Sequence, residues 1–342
     1  MSAGVSLDAA IDDVCDAVRS AATVVPLGGR THWDVGGPAP DGTHVVAPAG
    51  VVDYDPAELT ITLGAGTTVA ELDAVVGAAG QDCPVDARDP AATVGGVLAV
   101  GLSGSRRLRY GPLRNRVLEA HFVTADGRRI KGGGRTVKNV SGYDVARLLV
   151  GSFGTLGVIV QVTLRCEPRA LRSEWLACDA PSAEVAARAF RASSVLTDGA
   201  HTYVLVEGYA EDVAAAVANL DGAPAAAPPP WPDGPHRGRI SVPPGVVDAV
   251  GRRLTDAGIA WVGEAGIGTI HVAAAREDDL AAARAIAHAA DGWLLREAGA
   301  SGLEGFGVEM PNAEVMARIK DALDPEHRMN PGRVPRLRVV HA

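Results

Sequence analysis

The sequence predicts an α+β fold in two parts. Short β-rich runs parted by glycine turns fill the first half, and the character changes near residue 170. The second half runs β-α-β, linker, α-β-β-α-β, which predicts a mostly antiparallel sheet with helices over one face. A chain of 342 residues has material for two or three domains and a large core.

Leu7, Ile11, Val14, Cys15 and Val18 fall at helical spacing and predict an opening amphipathic helix. TVVPL, THVVAP and ELTITLGAG follow as strands. TTVAELDAVVGAAG reads as a helix that Thr67 or Thr68 caps and Gly80 ends. A further helix starts near Thr93, and RVLEAHFVTADGRRIKG reads as extended chain turning at Asp126-Gly127. YDVARLLVGSFG is predicted helical, and GVIVQVTLRCEP a long strand stopped by Pro168. Beyond it, 172–178 and 201–208 read as strands, and 181–192 and 210–219 as helices. The Pro/Ala-rich DGAPAAAPPPWPDGP reads as a surface excursion without a binding role. Helices at 244–257 and 278–290 alternate with strands at 259–263, 268–274 and 292–296, and AEVMARIKDALD closes the pattern.

The net charge of −9 argues against nucleic acid or an anionic membrane as partner. No apolar run approaches the ~20 residues that span a bilayer, and acids stand where a secretory leader carries basic residues. These features predict a cytoplasmic protein, held at a membrane, if at all, through a partner. Cys15, Cys83, Cys166 and Cys178 form no CxxC pair, so reduced thiols are expected and neither an iron–sulfur nor a structural zinc site. GxxxxGK[ST], GxGxxG and HExxH are missing, which argues against a P-loop kinase, a dinucleotide-binding Rossmann domain and a zincin.

Three glycine-rich stretches remain: PLGGRTH (26–32), ATVGGVLAVGLSG (92–104) and VKNVSGYDVARLLVGSFGTLGVIVQVTL (137–164). Consecutive glycine amides and a helix N-terminus can cradle a pyrophosphate; close packing of backbone is the other use of such glycines. Together with LTITLGAGTTVAELDAVV and the closing LDPEHRMNPGR, the stretches resemble the FAD-binding domain of the vanillyl-alcohol oxidase, or PCMH, type, in order over residues 7–170 and again at the tail.

The resemblance implies a two-part FAD-binding domain at 1–170, a smaller α+β cap at 171–310, and a helix and tail at 311–342 returning to the first. It implies one cradle wall from Pro26, Leu27, Gly28, Gly29, Arg30, Thr31 and His32, and another from Thr93, Val94, Gly95 and Gly96, with Gly101 and Gly104 in the same stretch. Gly154, Gly157 and Val158 are carried to the adenine side. Pro84 and Asp86, in CPVD, and Gly142 and Tyr143, in SGYD, are carried to the flavin ring, where Lys138 and Asn139 either polarise its edge or cap a helix. Some relatives bond FAD to a histidine of the first loop. Arg30 stands at that position here and His32 two residues later, which implies non-covalent FAD.

Within the family the likeness is nearest to glycolate oxidase FAD-binding subunits. That implies oxidation of a small 2-hydroxy acid by hydride transfer to flavin, beside a second flavoprotein subunit and an iron–sulfur subunit. Arg109 and Tyr110, in the RYG segment, are the expected substrate-side pair, because a guanidinium grips a carboxylate at two points. His32 is the candidate base, since imidazole titrates near neutral pH. His271, His288 and His327 read as isolated, so no metal is expected. Two alternatives stay open: a flavin-holding assembly or electron-relay subunit with little chemistry of its own, and another PCMH-type oxidase acting on a sugar or alcohol.

Overall fold

The computed structural model describes residues 6–135, 144–225 and 227–334. Two antiparallel sheets organise them. The first orders Val51–Asp55, Thr60–Gly64, Val158–Arg165, Val117–Val123 and Arg129–Gly133 side by side. Helices Val69–Ala78 and Val94–Val100 pack on it through Leu72, Val76, Val97 and Leu98, against Ile61, Leu63, Phe122 and Leu164. The helix Val69–Ala78 begins where the sequence predicts. Thr68 accepts from the Glu71 amide while the Glu71 carboxylate accepts from the Thr68 amide, so two otherwise orphaned donors are satisfied.

A parallel pair, Val24–Leu27 with Thr43–Val46, stands apart from this sheet beside the opening helix Leu7–Ser20. The C-terminal segment returns to it after the helix Ala313–Leu323. The Val24 amide donates to Arg328 O (2.9 Å) and the Asn330 amide to Val24 O (2.8 Å).

The second sheet has eight strands, in the order Ala223–Ala225, Arg172–Cys178, Thr202–Gly208, Ser194–Thr197, Ala260–Glu264, Thr269–Ala274, His236–Ser241 and Trp293–Ala298. Every neighbouring pair is antiparallel. Its strands alternate. Leu176, Val204, Ile240, Ile270, Val272 and Leu294 join the cores that Val185, Val213, Leu254 and Leu280 complete from four helices. The residues between them face the other way, toward the first part of the chain, as side chains one apart must. We propose the two sheets as separate domains, meeting near residue 170.

Several expectations are corrected. Val51–Asp55, Ser194–Thr197 and His236–Ser241 are strands that the sequence pattern did not reveal. HRGRIS reads as polar because only alternate residues enter the core. The helix expected from 143 is confined, among described residues, to Val145–Leu149. The long strand breaks after Arg165, and Glu167–Pro168 pairs with Gln81–Asp82 instead. The Pro/Ala segment is no mere excursion. Ala223–Ala225 forms the sheet edge, and Trp231 beyond it enters a cavity.

Candidate functional site

The first cavity, about 110 Å³, lies along the glycine loop after the strand Val24–Leu27. Pro26, Leu27, Gly28, Gly29, Arg30, Thr31 and His32 line it, joined by Thr93, Gly95, Gly96, Gly154, Gly157 and Val158. Stretches about 60 residues apart along the chain therefore converge on one groove. Among the described residues, the amides of Gly28, Gly29, Arg30, Thr31 and His32 donate to no acceptor. A Cβ on Gly29 would lie 2.4 Å from Ala91 O, so the loop approaches its neighbour as only glycine allows.

The second wall works differently from the expectation. Val94 donates to Thr67 O (2.8 Å), Gly95 to Ala65 O (2.7 Å) and Gly96 to the Thr93 hydroxyl (3.2 Å). These amides are spent on the fold, so the second wall offers fewer free donors than the first loop. Gly95 serves close packing, since its Cβ would lie 2.8 Å from that of Ala65. Val94 is a core residue and lines neither cavity.

The tail adds Asn330 and Arg333 to the wall. Asn330 Nδ2 donates to Phe153 O (2.6 Å), while its Oδ1 is buried without a partner. Arg333 Nη1 donates to Gly37 O (2.6 Å) and Val35 O (3.3 Å), fixing the loop beyond His32. Trp33 lies under Arg30 and Arg333, with centroid distances of 5.3 and 5.4 Å.

A second cavity, about 740 Å³, opens between the two sheets, and Thr31, His32 and Val35 line both cavities. Its near wall comes from segments 86–90 and 102–106 and its far wall from the charged face of the second sheet. Asp86 and Gly104 lie here. The carboxylate of Asp86 is engaged by Arg106 Nε (3.0 and 3.1 Å), and the same guanidinium also grips Asp82. Burial pushes the His32 imidazole below its usual range, so it is neutral at neutral pH; its Nδ1 lies 2.9 Å from the Thr31 hydroxyl.

The far wall is what the sequence reading missed. Arg239 pairs across the strands with His271, and Glu264 with Thr269. His271 is 5% exposed and Glu264 3%. His271 is not isolated: its Nε2 contacts Glu264 Oε1 at 2.6 Å and its Nδ1 contacts Arg88 Nη2. Arg88 also lies over Trp231 at 4.4 Å, and Trp231 meets His271 edge-on at 4.7 Å. Desolvation pushes the Glu264 carboxyl up to about 7, against the pull of Arg239, Arg88 and Arg107, and drives His271 well below its ordinary value. The signal was present in the sequence as charges at alternate strand positions, Arg237 and Arg239 among them, flanked by core residues.

Other expected residues go elsewhere. Arg109 and Tyr110 line neither cavity. The Arg109 guanidinium donates to Glu207 O on the second sheet, and Tyr110 sits among Arg109, Arg106 and Arg116 at 5.4, 5.5 and 5.8 Å. Their short helix, Arg107–Tyr110, sets them as a strut between the sheets, outside the two cavities described above. Pro84 is buried outside both cavities, and Gly101 caps the helix Val94–Val100 in the left-handed region at φ +73°. Lys138, Asn139, Gly142 and Tyr143 lie outside the described residues.

Comparison with known proteins agrees with this geometry. Residues 5–133 match a family model described as an FAD binding domain. The glycolate oxidase subunit GlcE of Escherichia coli (strain K12) is 37% identical over 164 residues, which cover 47% of this chain and 47% of that protein. The D-lactate dehydrogenase of Archaeoglobus fulgidus is 45% identical over 121 residues, covering 35% and 27%. These matches span about half or less of the relatives' lengths. A solved alkyldihydroxyacetonephosphate synthase superposes with a TM-score of 0.69 over 95% of this chain and 74% of its own; at 15% identity the likeness is one of fold.

Proposed function

We propose that this chain, which carries a PCMH-type FAD-binding domain, holds FAD non-covalently and takes part in the oxidation of a small 2-hydroxy acid. The observation that carries the reading is the junction at Thr31, His32 and Val35, where a loop with free amides meets a charged cavity between the sheets. FAD is long enough to need both spaces. Its pyrophosphate suits the free amides of Gly28–His32, and Arg30 and Thr31 add side-chain donors. Asn330 offers a buried, unpartnered oxygen on the same wall.

When bound, FAD supplies the hydride acceptor; the protein contributes orientation and charge. The relatives are named for glycolate and D-lactate, both 2-hydroxy acids, which supports that substrate class. One of them is named as an oxidase subunit, which supports work within a multi-subunit assembly; that its other members are a second flavoprotein and an iron–sulfur subunit is part of the proposal. No helix among the described residues is long and apolar enough to cross a membrane.

Two results are expected. The purified chain is yellow or takes up FAD, and anaerobic glycolate or D-lactate bleaches it. A chain that stays colourless when offered FAD overturns the cofactor assignment, and a yellow chain that no hydroxy acid bleaches overturns catalysis by the chain alone. Acid denaturation followed by gel filtration separates all the flavin from the polypeptide, because no histidine stands at the attachment position. Flavin co-eluting with denatured protein contradicts that expectation.

A further inference from the structure

We propose that Arg88 anchors the substrate carboxylate, Glu264 accepts the hydroxyl proton, and His271 is the positioning residue that fixes them both. The inference rests on the oxidoreductase reading above and assigns to residues of the second cavity the roles expected of Arg109 and Tyr110, which line neither cavity.

Arg88 lines the second cavity and makes no ion pair among the described residues. The other arginines that line this cavity differ in this respect, since Arg106 is held by two aspartates and Arg237 by Asp233. Stacking on Trp231 and the contact with His271 orient the guanidinium and engage few of its five N–H donors. An oriented cation with free donors on a cavity wall is a ready partner for a carboxylate.

His271 accepts from Arg88 through Nδ1 and donates through Nε2 to Glu264. Only the neutral tautomer protonated at Nε2 does both, and burial keeps the ring neutral. The ring therefore spaces an anion-binding guanidinium from a carboxylate, as a 2-hydroxy acid requires of its anchor and base. In the step itself, the hydroxyl O–H breaks and its proton passes to Glu264. Bound FAD would accept the α-hydrogen with its electron pair, leaving the 2-oxo acid. The groups facing Glu264 are Arg239 and His271 from adjoining strands, Arg88 and Arg107 from the first domain, with Glu297 nearby on the sheet edge. The three arginines oppose desolvation, and the balance leaves a proton acceptor tuned to neutral pH.

The test uses the flavin-loaded chain. Binding of 2-hydroxy-2-methylpropanoate, which keeps carboxylate and hydroxyl but lacks an α-hydrogen, is read from tryptophan fluorescence. Arg88→Met weakens it at least about tenfold, the order expected for a charge-assisted pair. Glu264→Gln binds it within about twofold of wild type but bleaches about 100-fold more slowly with substrate. In wild type the bleaching rate rises with pH through about 7; Glu264→Gln loses that rise, and His271→Gln moves its midpoint. A rise that survives in Glu264→Gln assigns the base elsewhere, with His32 next, and overturns the proposal. So does unchanged binding in Arg88→Met. Wild type that binds the analogue through Arg88 but is bleached by no acid overturns catalysis by the chain alone, and the base assignment with it, and leaves the anchor standing.

A second readout needs no turnover. Glu264 keeps its proton in the fold up to about 7, whereas its ordinary value is 4.5. The folded chain thus holds more protons than the unfolded chain between those values, and stability falls as pH rises across that window. Glu264→Gln removes the fall, seen as a gain in Tm over wild type that is larger at pH ~8 than at pH ~4.5. A gain equal at both pH values contradicts the buried, proton-holding carboxyl.

Discussion

Gly29→Val is expected to leave the chain folded and unable to retain FAD. The Cβ of any residue at 29 falls 2.4 Å from Ala91 O and 3.3 Å from its carbonyl carbon. Both are backbone atoms that cannot swing aside, so the loop itself must lift away from the segment before Thr93. That movement misaligns the five amides from Gly28 to His32, which have no other acceptor among the described residues. Five donors acting together on a pyrophosphate make the loss at least about 100-fold in FAD affinity, the equivalent of ~3 kcal/mol. The strain on the fold is that of local overpacking, about 1–3 kcal/mol. Visible absorption after gel filtration reads flavin content, and circular dichroism reads the fold. A folded variant with stoichiometric flavin would falsify the cradle.

Asp324→Ala is expected to be the most destabilising single change behind the site. Asp324 is fully buried at the end of the helix Ala313–Leu323 and accepts from the amides of Arg328 (3.0 Å) and Met329 (2.8 Å) and from Lys320 Nζ. Lys320 also donates to Thr155 O (2.6 Å) and Met329 O (3.1 Å). Burial already pulls the Lys320 ammonium below its usual range, with Asp324 holding it up. Removing the carboxylate strands that charge and two amides, which costs about 3–5 kcal/mol. The segment released is the one that pairs with Val24 and carries Asn330 to the cradle. Urea unfolding measures the loss; a change under about 1 kcal/mol means that the tail is held by something other than this carboxylate.

Much of the first domain was legible because its signals are local. Thr68 with Glu71 is a capping box readable from four letters, and the turn at Asp126-Gly127 joins two paired strands as expected. The glycines of the first loop pointed to close backbone approach, and the approach is there. Where the reading failed, the residue's use depended on a distant partner. TVGG looked like a donor-rich helix start, but Thr67 O and Ala65 O take its amides. Arg109 looked like a carboxylate clamp, but the carbonyl of Glu207, 98 residues away, takes its guanidinium.

The sequence by itself determined the α+β class and the glycine loop, since periodicity, caps and turn residues act over a few positions; the tail that returns to the loop was implied by the family resemblance. The tertiary structure alone decided that Arg88, Trp231, Glu264 and His271 meet. Alternation along a strand shows that its two faces differ, but a polar face reads the same whether water or another domain covers it. Here the second sheet's charged face is closed over by the first domain, and that desolvation turns an ordinary glutamate into one poised near neutral pH.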